Sequence, residues 1–487
     1  MENEANSKIK VLSGLAWRFA ERCGAQGVSF IVSIVLARIL SPSDYGLIGL
    51  ITVFISIATV FAQSGLGQAL VQRKNIDNTE FSTVFHFSLV FSIVLYVILF
   101  LCSPIIAHFY NEPLLINIIR VLGLTVIIGA VNSVQQAYVQ KTMQFKRFFY
   151  STLIGTIVSA IVGIIMAYTG FGVWALVGQQ ISNQVVNTIV LWFTVKWRPA
   201  FVFSINRAKR LFSFGWKLLC SSLIDTIYNN IYSLIIGKFY SAADLGYYNR
   251  GKQFPVLIVT NINDSISSVV YPMMAKLQDE SDYLKRFVRR SIVTSTFLIF
   301  PAMAGLAAIA QPLVRLILTD KWLPAVPFIY FCCFTYAFWP VHTANLQAIK
   351  ALGRSDIFLR LEIIKKVVGI IVLLITLPMG LIPMMWGTCF TTIIGSVLNA
   401  SPNKKLLGYS YLEQIKDIAP SMALSLVMLA IILPVTMLNI PSILQIVIQI
   451  IVGVIVYFGL AKLFKLECFD YVLNTVKGFR KRKNETI

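Results

Sequence analysis

Five polar residues near the start of the chain recur at helical spacing: Arg18, Arg22, Gln26, Ser29 and Ser33, separated by 4, 4, 3 and 4 positions. Side chains three and four apart share one face of a helix. A helix here therefore carries two guanidinium groups at one end of a polar stripe. Glu21 stands beside them, three positions after Arg18 and placed to pair with it. A second stripe follows 200 residues later: Lys217, Ser221, Asp225, Asn229 and Tyr232. In the next apolar stretch Thr260, Asp264 and Ser268 fall on one face, with Arg250 and Lys252 nearer its start.

What such residues do depends on their solvent. Of 487 residues 57% are hydrophobic and only 13% charged, against about 25% charged in soluble proteins. A soluble core could not hide that much apolar side chain, so the solvent is largely lipid. This excludes a soluble enzyme, a nucleic-acid-binding domain and a disordered protein. Backbone groups in lipid must be satisfied within the segment, so the apolar runs are helices. Fourteen are expected, near 12–38, 44–66, 82–107, 115–139, 148–168, 172–195, 211–238, 244–271, 288–310, 324–349, 357–377, 380–400, 416–437 and 441–462. The fold class is all-α integral membrane.

An ionisable residue inside a span is costly and by default faces a cavity. Arg18 and Arg22 line a cavity or snorkel to headgroups. Asp225 lies deeper, and lines a cavity or bonds to a neighbouring helix. Asp264 is a candidate coupling carboxylate or a packing hydrogen-bond partner. Glu362 and Lys366 form a favourable i,i+4 pair at a solvated helix start. His86 reads as a helix-packing residue. His342 has a better functional claim, with Asn345 and Gln347 close by. Arg120 and Arg315, near outer helix ends, could meet an anionic group. No nucleophile–base pair, metal-ligand spacing or phosphate-cradling glycine loop occurs, which disfavours an enzyme. The seven cysteines show no C-x-x-C and read as free thiols.

The formal charge is +21, from 42 Lys+Arg and 21 Asp+Glu. Thirty of the cations fall in even-numbered loops and the two termini, and four in odd-numbered loops. By the positive-inside rule both termini are cytoplasmic. The charge is thus explained by topology, with no nucleic-acid partner. No cleavable signal peptide is read at the start.

The chain also repeats itself. Ser41-Pro-Ser-Asp44-Tyr-Gly46 returns as Ser241-Ala-Ala-Asp244-Leu-Gly246, and Trp17-Arg18 as Trp216-Lys217. Pro104 is echoed at Pro312, Val131-Asn-Ser133 at Val341-His-Thr343, and Gly170 at Gly380. Asp44 and Asp244 read as helix N-terminal caps. Five matches in one order imply a duplicated unit. Two parallel six-helix bundles, 1–200 and 201–405, then surround a central cavity. Two more helices occupy 406–465, and a basic cytoplasmic tail 466–487. Transporters built from such repeats bind substrate between them.

Several of these runs carry a family resemblance. Gly14-Leu-Ala-Trp17-Arg18, Val35-Leu-Ala-Arg38-Ile-Leu-Ser-Pro-Ser-Asp44-Tyr-Gly46-Leu-Ile and Gly172-Val-Trp174-Ala-Leu-Val resemble bacterial polysaccharide flippases, as do Leu245-Gly-Tyr-Tyr-Asn-Arg250 and Tyr271-Pro272. The family is the Wzx-like branch of the multidrug/oligosaccharidyl-lipid/polysaccharide superfamily, of the colanic-acid exporter type. The resemblance implies a V-shaped cavity between two bundles. It implies alternating access, which carries an undecaprenyl-diphosphate-linked oligosaccharide from the cytoplasmic to the periplasmic leaflet of the inner membrane. It implies that Arg18, Arg22 and Lys217 hold the diphosphate, where charge-assisted bonds are strong. Gln26, Asn229, Tyr232 and His342 join them as substrate-binding candidates, and Asp225, Asp264 and Glu21 as coupling candidates. No cofactor or metal is expected; the coupling ion, H+ or Na+, stays open. Expected partners are the lipid bilayer, a polysaccharide polymerase and export machinery. A drug/cation antiporter of the same superfamily is the alternative, but should show a net acidic cavity. A membrane polymerase or ligase would need a sizeable periplasmic loop, and none is read.

Overall fold

The computed structural model describes Trp17, Glu21, Leu70 and residues 24–63, 77–278 and 280–469. Among these residues every regular element is a helix. The first unit holds α1 (Gly24–Ile39), α2 (Pro42–Gln63), α3 (Asn78–Tyr110), α4 (Leu114–Lys141), α5 (Lys146–Tyr168), α6 (Val173–Thr194) and α7 (Ile205–Phe239). Then come α8 (Ala242–Lys276), α9 (Ser281–Ile317), α10 (Val326–Ala337), α11 (Trp339–Ala351), α12 (Ser355–Thr376), α13 (Leu381–Leu407), α14 (Tyr411–Ile432) and α15 (Ser442–Leu463). The helices gather into two compact units, Met1–Asn249 and Arg250–Ile487, divided inside α8. Helix α7, the first helix of the expected second bundle, packs on α2 and α3.

Local chemistry sets the helix ends. At the start of α2 the Ser41 amide and hydroxyl both donate to Asp44 Oδ2, at 2.9 and 2.6 Å. The Asp44 amide donates back to Ser41 Oγ at 3.2 Å. The start of α8 repeats this with Ser241 and Asp244, at 3.2, 2.7 and 3.1 Å. The serines are therefore the caps, and the aspartates expected as caps are the third residues of reciprocal boxes. Ser410 and Glu413 close the same box on α14. The stretch expected as one helix near 324–349 is two, α10 and α11, parted at Phe338. Pro340 follows in the first turn of α11; its missing N–H and its ring stop one helix from running through. Pro272 does not end α8, which continues to Lys276.

Nine helical stretches among the described residues are long and apolar enough to cross a membrane. They are α2 to α5, α9, the α10–α11 pair, α13, α14 and α15. Helix α1 is shorter, α6 is rich in amides, and α7, α8 and α12 carry charges, so fourteen spans remain an expectation. Large apolar side chains point outward: Val90, Val94, Leu101 and Ile105 on α3, and Ile451, Val454 and Ile455 on α15 are about half exposed or more. Water would penalise such faces, and lipid accepts them. The protein is a multi-pass membrane protein. In the second unit α14 and α15 pack on α9 through Phe297, Met428 and Tyr457, whose hydroxyl donates to the Phe297 carbonyl at 2.8 Å. The six described cysteines are free thiols.

Candidate functional site

A polar cavity of about 560 Å³ lies within the first unit. Helix α6 contributes Gln179, Gln180, Asn183 and Gln184, and α4 contributes Thr125, Ser133 and Gln136. Ser29 of α1, Thr59 of α2, and Thr156 and Ser159 of α5 complete most of the wall. Among the described lining residues none is charged and none is aromatic. The polar residues of α6 recur at 179, 183, 187 and at 180, 184, so one broad face of the helix is amide.

Close helix packing fixes this wall. A Cβ on Gly163 of α5 would stand 3.0 Å from Gln179 Cβ, and one on Gly155 would stand 3.2 Å from the Asn183 carbonyl oxygen. The Asn183 amide donates to Ser159 Oγ at 3.2 Å, and the Asn132 amide of α4 donates to Asn187 Oδ1 at 3.1 Å. Gly129 leaves room for the Gln184 amide, which a Cβ there would meet at 3.4 Å. The Gln136, Gln179, Gln180 and Gln184 side chains have no hydrogen-bond partner among the described residues and face the cavity. The 195–204 linker is pinned: Trp197 Nε1 donates to Asn78 Oδ1 at 2.5 Å, and Gln135 to the Trp197 carbonyl at 3.3 Å.

Of the residues singled out in the sequence, Ser29 of the first stripe and Ser133 of the repeat reach this cavity. Arg18 and Arg22 lie outside the described residues. Lys217 and Asp264 lie on the helical backbones of α7 and α8, with side chains outside the described set. Glu21 accepts a hydrogen bond from Thr152 Oγ1 of α5 at 2.9 Å. Gln26 is exposed on α1; Asp225 and Asn229 are exposed on α7, on one face. Tyr232 stacks on Tyr248 with ring centres 6.4 Å apart.

His342 stands apart from the cavity in sequence and unit, on α11 of the second unit. Asn399 of α13 lies 2.9 Å from its Nδ1 and Ser396 Oγ lies 3.4 Å from its Nε2. One turn on, Asn345 and Gln414 exchange hydrogen bonds of 2.8 and 3.0 Å, and Asn403 donates to Asn345 Oδ1 at 2.7 Å. These three amides are fully buried. Glu362 pairs with Lys365 at 2.6 Å, one position before the expected Lys366. Arg315 pairs with Asp320 at 2.8 Å, and Arg120 donates to Ser103 Oγ at 3.1 Å. His86 bonds the Ser82 carbonyl at 2.7 Å.

The two capped turns meet. A Cβ on Gly46 would lie 1.7 Å from the Ala242 carbonyl oxygen, and one on Gly246 would lie 2.0 Å from that of Pro42. Each helix start therefore packs its glycine on the first turn of the other, an approach only glycine permits.

Sequence reasoning missed the amides of α6 and Gln136 of α4. The stripes read in the sequence each held a charged residue, and the amide face of α6 holds none. The signal was present as Gln179-Gln180, Asn183-Gln184 and Asn187 within an apolar run, where uncompensated polar side chains are also costly.

Residues 35–327 match the family described as "Polysaccharide biosynthesis protein". The chain is 28% identical over 305 residues to the teichuronic acid biosynthesis protein TuaB of Bacillus subtilis, covering 61% of this chain and 63% of the relative. It is 25% identical over 410 residues to the lipopolysaccharide biosynthesis protein WzxC of Escherichia coli, covering 83% of each. Among solved structures it is similar to the lipid II flippase MurJ in an inward closed conformation, with a TM-score of 0.75 and 16% identity. That match covers 93% of this chain and 98% of the other, and concerns the fold.

Proposed function

This chain belongs to the polysaccharide biosynthesis protein family, and from that premise we propose that it is a lipid-linked oligosaccharide flippase, a transporter and not an enzyme. Its substrate is an undecaprenyl-diphosphate-linked repeat unit, moved from the cytoplasmic to the periplasmic leaflet of the bacterial inner membrane by alternating access. The distribution of cations supports cytoplasmic termini, and the sequence repeat supports two six-helix bundles. The reading is carried by one observation: a cavity walled by hydroxyls and amides inside a unit whose outer faces are apolar. A lipid-linked glycan needs a polar passage for its head group while its chain stays in lipid. The names of TuaB and WzxC, which tie them to teichuronic acid and lipopolysaccharide biosynthesis, support the substrate class.

Arg18, Arg22 and Lys217 are assigned to the diphosphate. Gln26, Asn229 and Tyr232 contact the polar head group. Asp225, Asp264 or Glu21 couples transport to H+ or Na+. Deleting the gene tests the proposal: surface polysaccharide is lost and lipid-linked repeat units accumulate on the cytoplasmic leaflet. Persistent polysaccharide with no accumulated intermediate would overturn it.

A further inference from the structure

The cavity of the first unit has a chemistry of its own. Hydroxyls and carboxamides each donate and accept, as every sugar hydroxyl does. Among the described lining residues no cation is present to neutralise a phosphate or uronate, and an unpaired charge is expensive to desolvate. Four glutamines face the space with no hydrogen-bond partner among the described residues. Their positions are set by packed backbones at Gly155, Gly163 and Gly129. The volume, about 560 Å³, lies in the ~300–1,000 Å³ span of small-molecule sites. With no aromatic ring among the described lining residues, a sugar is held by its hydroxyl edges and not by stacking.

We propose that this cavity is a glycan-reading site, which binds an uncharged sugar ring of the head group, a hexose or N-acetylhexosamine, through Gln180 and Gln184 of α6 and Gln136 of α4. The ligand's source rests on the flippase reading; the binding itself is measured without transport.

The test uses the purified full chain in detergent, titrated separately with methyl glucoside, methyl N-acetylglucosaminide, glucuronate and inorganic pyrophosphate. A neutral glycoside should bind the wild type, and glucuronate should bind the cavity poorly. Gln184→Leu should weaken the neutral glycoside at least about tenfold, the loss of one to two hydrogen bonds, and leave pyrophosphate binding unchanged. Gln136→Leu, on another helix, should do the same, so one poorly folded variant does not decide the matter. Thermal unfolding reports whether each variant is intact. The proposal is overturned if neither neutral glycoside binds, or if folded variants bind it like the wild type. Neutral binding without accumulation of lipid-linked units in the deletion strain would remove the flippase reading and keep the site. Accumulation without neutral binding would do the reverse.

Discussion

Asn132 of α4 donates to Asn187 of α6 at 3.1 Å, and the residues at the repeat-related places, His342 and Asn399, are paired at 2.9 Å. Position 342 follows 132 by 210, as Gly380 follows Gly170, and 399 follows 187 by 212. Each pair ties together two helices of one unit. Asn132 is 1% exposed, so Asn187→Ala strands a buried amide. The expected cost is about 1–3 kcal/mol, seen as a lower unfolding temperature in detergent. Adding Asn132→Ala should cost less than a second full penalty, because the orphaned group is gone. Strict additivity would show that the bond contributes nothing.

The same relationship bears on His342. Both ring nitrogens have partners on α13, so His342→Asn, which copies Asn132, should keep the link and keep polysaccharide export. His342→Ala should lose stability by about 1–3 kcal/mol. Loss of export in a His342→Asn protein of unchanged unfolding temperature would instead place the ring on the substrate.

Much of this architecture was legible in the sequence because lipid leaves few choices. Apolar runs had to be helices. Paired turns were visible because capping needs particular residues: Ser41 with Asp44 and Ser241 with Asp244 both close the expected turn. What could not be read was which polar residues face one another. The amides of α6 meet Gln136 of α4 around one cavity only through long-range packing, which residue spacing within one helix does not record. The break at Phe338 was hidden for a similar reason: apolar content runs on through a residue pair whose backbone cannot continue the helix.

The boxes also sort the acids. Asp44 and Asp244 spend Oδ2 on a serine amide and hydroxyl at a helix start. Asp244→Ala should therefore cost about 0.5–2 kcal/mol and leave the pH dependence of export unaltered. Asp225→Asn, on the exposed face of α7, should change that pH dependence if export is proton-coupled. An altered pH profile in Asp244→Ala, measured beside Asp225→Asn in the deletion strain, would move the coupling role to the turn.

Arg18, Arg22 and Lys217, as proposed for the diphosphate, act through their positive charge. Each alanine variant should lower export at least about tenfold, the loss of one charge-assisted contact. Lys217→Arg should retain more activity than Lys217→Ala, since charge is kept. Drug tolerance of the same strains should not change. A drug/cation antiporter would behave oppositely: tolerance would respond to the substitutions and polysaccharide would not.

On the proposed topology the α1–α2 and α7–α8 turns face away from the cytoplasm, and at these turns Gly46 and Gly246 let two helix starts touch. If the proposed alternating access opens that side between these helix starts, the turns part on opening and fit again on closing. Gly46→Val places its first carbon inside the reach of the Ala242 carbonyl, and Gly246→Val does so at Pro42. Overpacking of this kind costs about 1–3 kcal/mol or more, and it falls on the closed arrangement alone, because separated turns have space. Both variants should insert and fold, but lose most export, and a cysteine placed at Ser43 should become more reactive to a membrane-impermeant thiol reagent. Gly459→Ala, whose new carbon meets nothing within 4 Å, is the silent control. If the valine variants export normally with unchanged Ser43→Cys labelling, the contact of the two turns is not a barrier that transport must open.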